Sequence, residues 1–413
     1  MIYKILRVIA NIAIRIFYGK IEVSGIENIP KDGPLLIASN HPNGFLEPII
    51  MACLFPRPLH FMVRGDVFRK KWLKPILIKT NQIPIFRFKD GFSELRKNES
   101  SLRAAHEALE NNAAIILFIE GGTENIKKLR SFQKGLGRMA YQFLDSHDQE
   151  LKVLPVGINF TAPFRWRSRL NLNIAAPISA NEHFRDEENP NKAINSLTDI
   201  LYDRIENMVY NLKKDKYQGL LNKVLSLFEA FLPKSFPIVD YQLTNWKSFK
   251  AISERLNEME DGSLDKLQKE LQEFEIRNGT LQKRNTSILD DVLLIILLPF
   301  AMIGFIFNYI PSIAGKILAN KVLDRANTVF RASIIVCSDL GFYIIFYLLV
   351  FLILLPFVGA KAFYILLMLP LGWIFIIWYM LFRRSRFGQK YQLSKKAKQR
   401  LISIFTTYNI KTQ

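Results

Sequence analysis

Two short clusters hold the residues best suited to chemistry. In the first, Ser39-Asn40-His41-Pro42-Asn43-Gly44-Phe45-Leu46-Glu47-Pro48, five residues separate His41 from Glu47. An imidazole accepts a proton near neutral pH, and a nearby carboxylate can fix its tautomer and steady the imidazolium. No Ser or Cys lies between the two, so a triad with its own nucleophile is not indicated. The attacking oxygen would then come from a substrate hydroxyl. The same residue types also suit a histidine capping a turn and a glutamate opening a helix, and both readings stand at this level. In the second cluster, Glu120-Gly121-Gly122-Thr123 closes an apolar run and precedes Lys127, Lys128, Arg130 and Lys134. The glycine pair permits a tight turn whose N–H groups can approach an anion or a hydroxyl, and Thr123 can cap the next element.

Elements must bring these clusters together. β-rich runs occur at 34–39, 59–63, 83–86, 113–119, 153–160 and 170–175, and helical patterns lie between them at 92–112 and 131–146. Strands separated by helices predict an α/β domain, a parallel or mixed sheet flanked by helices. Chemistry in such folds sits in the loops at the carboxyl ends of strands, and both clusters come directly after a strand.

The whole chain has 413 residues, 49% of them hydrophobic, and a formal charge of +19. That apolar content excludes a disordered chain. The basic residues cluster beside apolar segments rather than along an aromatic-studded surface, which argues against nucleic acid as a partner and for an anionic membrane. Cys53 and Cys337 lie far apart and provide neither a disulfide framework nor a metal site. No clustered ligand set suggests a metal. Residues 1–19 carry isoleucines at helical spacing, with Arg7 and Arg15 among them, and read as an amphipathic helix in the membrane interface, basic residues toward headgroups. A first helix packed on the soluble domain is the alternative.

Taken together, the two clusters resemble the glycerol-phosphate acyltransferase family, the membrane lipid acyltransferases that include the lysophosphatidate acyltransferases. Asn40-His41 with Glu47 resembles its His–acid motif, and Phe118-Ile119-Glu120-Gly121 its later acid–glycine motif. Residues 63–87, closing on Ile-Pro-Ile-Phe-Arg, resemble the block with a phosphate-binding arginine, and Val153-Leu154-Pro155-Val156-Gly157 the fourth block. The resemblance covers about residues 20–215. This chain departs from the family in having Glu47 where Asp at a shorter spacing is commonest, and Ile119 where proline is usual.

The resemblance implies a transfer of a fatty acyl group from acyl-CoA or acyl carrier protein to glycerol-3-phosphate or lysophosphatidate, with no cofactor. His41 would be the base and Glu47 its orienting acid. Arg87 would hold the acceptor phosphate, Glu120 would bind glycerol hydroxyls or support its loop, and Gly121, Gly122 and Thr123 would line the substrate site, the glycine amides facing the oxyanion. Alternatives are another lipid acceptor, such as an acylated amino-acid lipid, or a non-catalytic lipid-binding protein.

Beyond this domain, 216–290 reads as a charged helical insert or linker, 291–382 as a membrane anchor and 383–413 as a basic cytoplasmic tail. Apolar segments at 292–312, 334–358 and 362–382 each reach spanning length. The positive-inside rule places both the connector, with Lys316, Lys321, Arg325 and Arg331, and the tail in the cytoplasm. A catalytic domain on that same face then requires 292–312 to be re-entrant, broken near Pro299 to Gly304. The expected location is an integral membrane protein, of a bacterial inner membrane, with the catalytic domain cytoplasmic.

Overall fold

The computed structural model describes residues 2–44, 46–69, 71, 73–86, 98–163, 168–185, 189–229, 231, 246–278, 288–322, 331–386 and 395–411. The chain forms two compact units, Met1–Gln218 with Ser235–Glu254, and Gly219–Lys234 with Arg255–Gln413.

In the first unit, α1 (Ile2–Phe17) and β1 (Lys20–Ser24) are followed by β2 (Leu35–Ser39), α2 (Leu46–Leu54) and β3 (Leu59–Arg64). Next come α3 (Lys74–Lys79), β4 (Gln82–Ile85), α4 (Asn98–Glu110), β5 (Ala114–Phe118) and α5 (Gly135–Ser146). β6 (Lys152–Phe160), β7 (Arg169–Ile174), β8 (Ile178–Ser179), α6 (Ala180–Arg185) and α7 (Pro190–Glu206) complete the α/β part. The sheet order is β1-β7-β6-β2-β5-β3-β4, with β8 beside β6. β4, β3, β5, β2 and β6 run parallel, and β7 is antiparallel to β6. This is a mixed sheet flanked by helices, as the alternating pattern predicts. β1 is absent from the strands that pattern predicts, because Lys20-Ile21-Glu22-Val23-Ser24 is too polar to read as a core strand. Its parallel pairing with β7 and the burial of Glu22 beside Lys20 and Arg169 fix it instead.

Leu36, Ile115, Leu117 and Val153 on the strands pack with Met139 and Phe143 of α5 and Leu197 and Leu201 of α7, all nearly inaccessible. Burial of side chains of this size contributes about 1.5–3 kcal/mol each before the entropy of ordering them.

α1 docks by its polar side. Arg7 reaches the Phe55 carbonyl, and Asn11 donates to the Cys53 carbonyl at 3.3 Å, just at the carboxyl end of α2, where helix carbonyls lack partners. Ile2, Ile5, Leu6, Val8 and Ile12 stay exposed. The expectation that the basic residues face outward is thus corrected for Arg7, which turns inward and leaves an apolar outer face.

The second unit gathers helices from both sides of a long apolar stretch. Its elements are α8 (Gln218–Phe228), the end of α9 (Trp246–Glu258), α10 (Asp261–Asn278), α11 (Ile288–Val322), α12 (Arg331–Val358), α13 (Met368–Arg386) and α14 (Lys395–Thr407). A 3₁₀ segment, Gly359–Leu367, joins α12 to α13. Leu264, Leu267, Leu271 and Phe274 of α10 are buried, as the helical stripe implies. Residues 395–407 are not a free tail: Leu401 and Phe405 of α14 are fully buried, Phe405 packs against Phe231, and the Tyr408 hydroxyl donates to Glu270 at 2.9 Å.

α11 is one continuous helix of 35 residues with Pro299 and Pro311 inside it, so 292–312 is not a re-entrant hairpin. A proline costs a helix one hydrogen bond and bends it, but in apolar surroundings the helix persists because its neighbours re-satisfy the freed groups. α13 runs antiparallel to α11. Trp378 Nε1 donates to the Leu294 carbonyl at 2.8 Å, Phe375 packs on Phe305 at 5.0 Å, and Asn308 Nδ2 donates to the Met368 carbonyl at 3.0 Å. The beginning of α11 therefore lies level with the end of α13. The third apolar segment is also not a single helix: Phe363 folds back on Phe351 at 4.7 Å before α13 begins. Asp291–Pro311 and Cys337–Tyr379 are long and apolar enough to cross a membrane.

Candidate active site

Parallel pairing of β2 with β5 sets the site. The register Ser39↔Phe118 carries His41 and Glu120, 79 positions apart in sequence, out of the same sheet edge side by side. The His41 N–H donates to Glu120 Oε2 at 2.9 Å, and the His41 ring stacks on Phe118 with centroids 4.0 Å apart. On the other flank, Asn40 ties the loop to β6: its Nδ2 donates to the Ile158 carbonyl at 3.0 Å and its Oδ1 accepts from the Ile158 N–H at 2.8 Å. The loop is thus held on both flanks, at the His41 backbone by Glu120 and at the Asn40 side chain by β6.

Glu47 enters from the first turn of α2 and is fully buried. Its Oε1 accepts the Asn43 N–H and lies 3.7 Å from His41 Nδ1. With Glu47 on the Nδ1 side, an Nδ1–H tautomer is the one that leaves Nε2 free to take a proton. The His41 side chain is 18% exposed, enough to meet a substrate without being washed by bulk water.

Glu120 is committed to its loop. Oε1 accepts the Arg130 N–H at 3.1 Å, and Oε2 pairs with Arg130 Nη2 at 2.9 Å besides holding His41. Both of its oxygens are thus engaged by backbone and side chain of this loop and of His41. Arg130 also donates to the Gly122 carbonyl, so one guanidinium closes the turn. In the sequence Arg130 is only one cation in a run; nothing in the spacing marks which of the four pairs with Glu120.

Gly121 has φ +68°, and a Cβ there would lie 2.7 Å from Gln133 Cγ, so the turn requires glycine. Its N–H points back to the Phe118 carbonyl at 3.4 Å, against the expectation that both glycine amides face an oxyanion. Thr123 does not cap a helix, because the next one, α5, begins at Gly135. Arg87 lies outside the described residues. Phe86 before it is held by Asn98 through both backbone groups, at 2.8 and 2.7 Å.

Beside the dyad lies an open cleft with Asn40, Pro42, Glu120, Lys127, Lys128 and Tyr210 among its lining. Lys128 is paired with Asp215 at 2.9 Å. The arrangement can take a proton from a hydroxyl at His41, hold the resulting charge against Glu47, and present donors to a developing oxyanion.

A family model described as Acyltransferase matches residues 20–159. Over 101 residues the chain is 33% identical to an uncharacterized acyltransferase of Schizosaccharomyces pombe, covering 24% of this chain and 15% of that one. It is 29% identical over 79 residues to a 1-acyl-sn-glycerol-3-phosphate acyltransferase of Bacillus subtilis, 19% of this chain and 39% of that one. It is also 29% identical over 100 residues to glycerol-3-phosphate O-acyltransferase 1 of Saccharomyces cerevisiae, 23% of this chain and 13% of that one. The chain therefore spans well under half the length of each of these relatives. Among solved structures it is similar to the 1-acyl-sn-glycerophosphate acyltransferase PlsC of Thermotoga maritima, with 20% identity, a TM-score of 0.37, 49% of this chain and 79% of that one covered.

Proposed function

We propose that the protein is a membrane-bound O-acyltransferase that moves a fatty acyl group from an acyl thioester to a hydroxyl of glycerol-3-phosphate or lysophosphatidate. The observation that carries this reading is the His41–Glu47 pair at 3.7 Å, at the carboxyl edge of the sheet and beside the Glu120–Arg130 turn. His41 Nε2 takes the acceptor proton as the hydroxyl oxygen attacks the thioester carbonyl. The carbonyl oxygen becomes an oxyanion near the Gly122 amide. On collapse the C–S bond breaks, and the proton on His41 passes to the leaving thiolate. General-base help of this kind supplies about 10²–10⁴ in rate. The donor is acyl-CoA or an acyl carrier protein, and Arg87 is the candidate for the acceptor phosphate.

Attachment to a bilayer is supported by the exposed apolar face of α1 and by the outward apolar side chains of α11 and α12, Ile295, Ile306, Ile353 and Phe357 among them. The antiparallel α11–α13 pair and the seat of α14 beside Glu270 of α10 support entry and exit of the chain on one side of the membrane. The α11–α12 connection then lies on the other side. A membrane-impermeant maleimide, applied to Lys321→Cys and Lys396→Cys proteins, is expected to label them from opposite faces; labelling from a common face overturns this topology.

The function is tested with detergent-purified protein, labelled acyl-CoA or acyl carrier protein, and glycerol-3-phosphate, lysophosphatidate or no acceptor. Transfer to one of the two acceptors supports the reading. Folded protein silent with both donors and both acceptors overturns it.

A further inference from the structure

Between β5 and α5, residues 119–134 form neither helix nor strand, yet this stretch carries Glu120 and Arg130 and supplies one wall of the cleft. A segment without regular structure keeps its place through the partners of its backbone groups. Three of its N–H groups end on side chains. Lys127 donates to Gln218 Oε1 at 2.9 Å, Leu129 to Asn211 Oδ1 at 3.0 Å, and Arg130 to Glu120 Oε1 at 3.1 Å. The Lys127 carbonyl accepts from the Leu212 N–H at 2.7 Å and from Gln218 Nε2 at 3.4 Å. A carboxamide both accepts and donates, so Gln218 meets both backbone groups of Lys127 as a neighbouring strand would.

The chain after α7, residues 207–218, is the source of these ties, and it is itself pinned to the sheet. Asn159 of β6 and Asn173 of β7 both donate to the Met208 carbonyl, at 2.9 and 2.8 Å, and Asn159 Oδ1 accepts the Tyr210 N–H at 2.8 Å. The Tyr210 hydroxyl donates to Asn171 of β7, and Asn211 Nδ2 donates to Glu206 Oε1 at 2.8 Å. All three strand asparagines are buried. A buried amide is costly without partners, and here all three serve one segment. Gln218 is the last residue of the first unit, so every one of these ties lies within that unit.

Leu129 and Arg130 are consecutive, and their N–H groups go one to the pinned segment and the next to the site. Glu120 in turn accepts the His41 N–H on Oε2 at 2.9 Å. A continuous run of hydrogen bonds therefore leads from Asn211 and Gln218, through 127–130 and Glu120, to the backbone of the histidine.

We infer that Asn211 and Gln218 are positioning residues for His41: they fix residues 127–130, and through Arg130 and Glu120 that stretch sets the place of the histidine. Neither is among the residues lining the cleft, and they act through Glu120.

The inference rests on the acyl-transfer reading for its kinetic arm only. The arm independent of activity is hydrogen exchange read by mass spectrometry on the full chain in detergent. Gln218→Met keeps the length of the half-buried side chain and removes both of its ties to Lys127. In that variant, exchange is expected to quicken about tenfold across 127–130, the weight of one hydrogen bond, and to quicken at His41 as well. Asn211→Leu is expected to do the same, and decides on the same readout if Gln218→Met does not fold. Faster exchange confined to 127–130, with His41 as in the parent, overturns the inference even where no acceptor has been found; so does a loop that exchanges alike in variant and parent. In the kinetic arm, kcat is expected to fall about tenfold in Gln218→Met and to recover most of that loss in Gln218→Glu, which keeps the acceptor for the Lys127 N–H. If the parent turns over and Gln218→Met matches it, the inference fails while the function stands.

Discussion

Each unit of this protein buries an asparagine, Asn308 on a helix pair and Asn43 in the turn between β2 and α2, and the two are treated differently. Asn308, on α11, has every polar group of its side chain engaged. Nδ2 donates to the Gly304 and Met368 carbonyls at 2.8 and 3.0 Å, Oδ1 accepts from Tyr347 at 3.1 Å, and its backbone carbonyl accepts from Tyr343 at 3.1 Å. Asn43, beside the dyad, is just as buried, yet both ends of its amide lack partners, as do His41 Nδ1 and Glu47 Oε2. A fully satisfied polar group among apolar helices is glue, since the alternative is an unpaired dipole in hydrocarbon. Unsatisfied groups gathered behind a half-open histidine hold electrostatic capacity that a substrate or a developing charge can use. Burial alone does not separate structure from chemistry; the accounting of hydrogen bonds does.

The contrast is broken most directly at the dyad. His41→Ala is expected to lower acyl transfer by about two orders of magnitude or more, the loss of the proposed general base, while the protein stays folded and membrane-associated. Turnover retained in that variant removes the dyad from the mechanism.

On the other side of the contrast, Gly304→Leu is expected to damage the helical unit. A Cβ at 304 would sit 2.0 Å from the Leu371 carbonyl oxygen, so α11 and α13 must separate. The cost is about 1–3 kcal/mol, measured by detergent or heat unfolding followed at Trp378, whose indole bond to Leu294 spans the same pair. Unchanged unfolding in this variant would mean that α11 and α13 do not pack in this way.

The smallest effect comes from a histidine outside the site. His147 bonds the Phe143 carbonyl at 2.8 Å and Glu110 at 2.5 Å, and His106 stands 6.1 Å away, ring to ring. The Phe143 carbonyl, opposed in part by burial and aided by Glu110, raises the His147 pKa. A raised folded pKa means stability that is full below about pH 6.5 and lost as pH rises through the folded value. His147→Ala is therefore expected to lower stability by less than about 1 kcal/mol at pH 5.5, with a smaller loss at pH 8.5. An equal loss at both pH values would show that packing on Phe143, not charge, is the role of this ring.

Much of the site could be read without coordinates because its residues are local in sequence. His41 and Glu47 share one strand–turn–helix, and the strands at 34–39 and 113–119 are apolar runs that only a buried position explains. The partner of Glu120 could not be read. Lys127, Lys128, Arg130 and Lys134 are equivalent by type, and only the path of the turn chooses Arg130.

The apolar stretch gives the same division. Hydropathy by itself determined that residues between 291 and 382 are long enough and apolar enough to cross a bilayer, because transfer free energy sums along a segment. It could not determine whether Pro299 breaks a helix, where the third segment folds back, or which ends meet. Those depend on pairings between residues far apart, Leu294 with Trp378, Gly304 with Leu371 and Glu270 with Tyr408. Residue types decide what each segment prefers to bury, and only the tertiary structure decides which buried polar groups are satisfied by one another and which are left for chemistry.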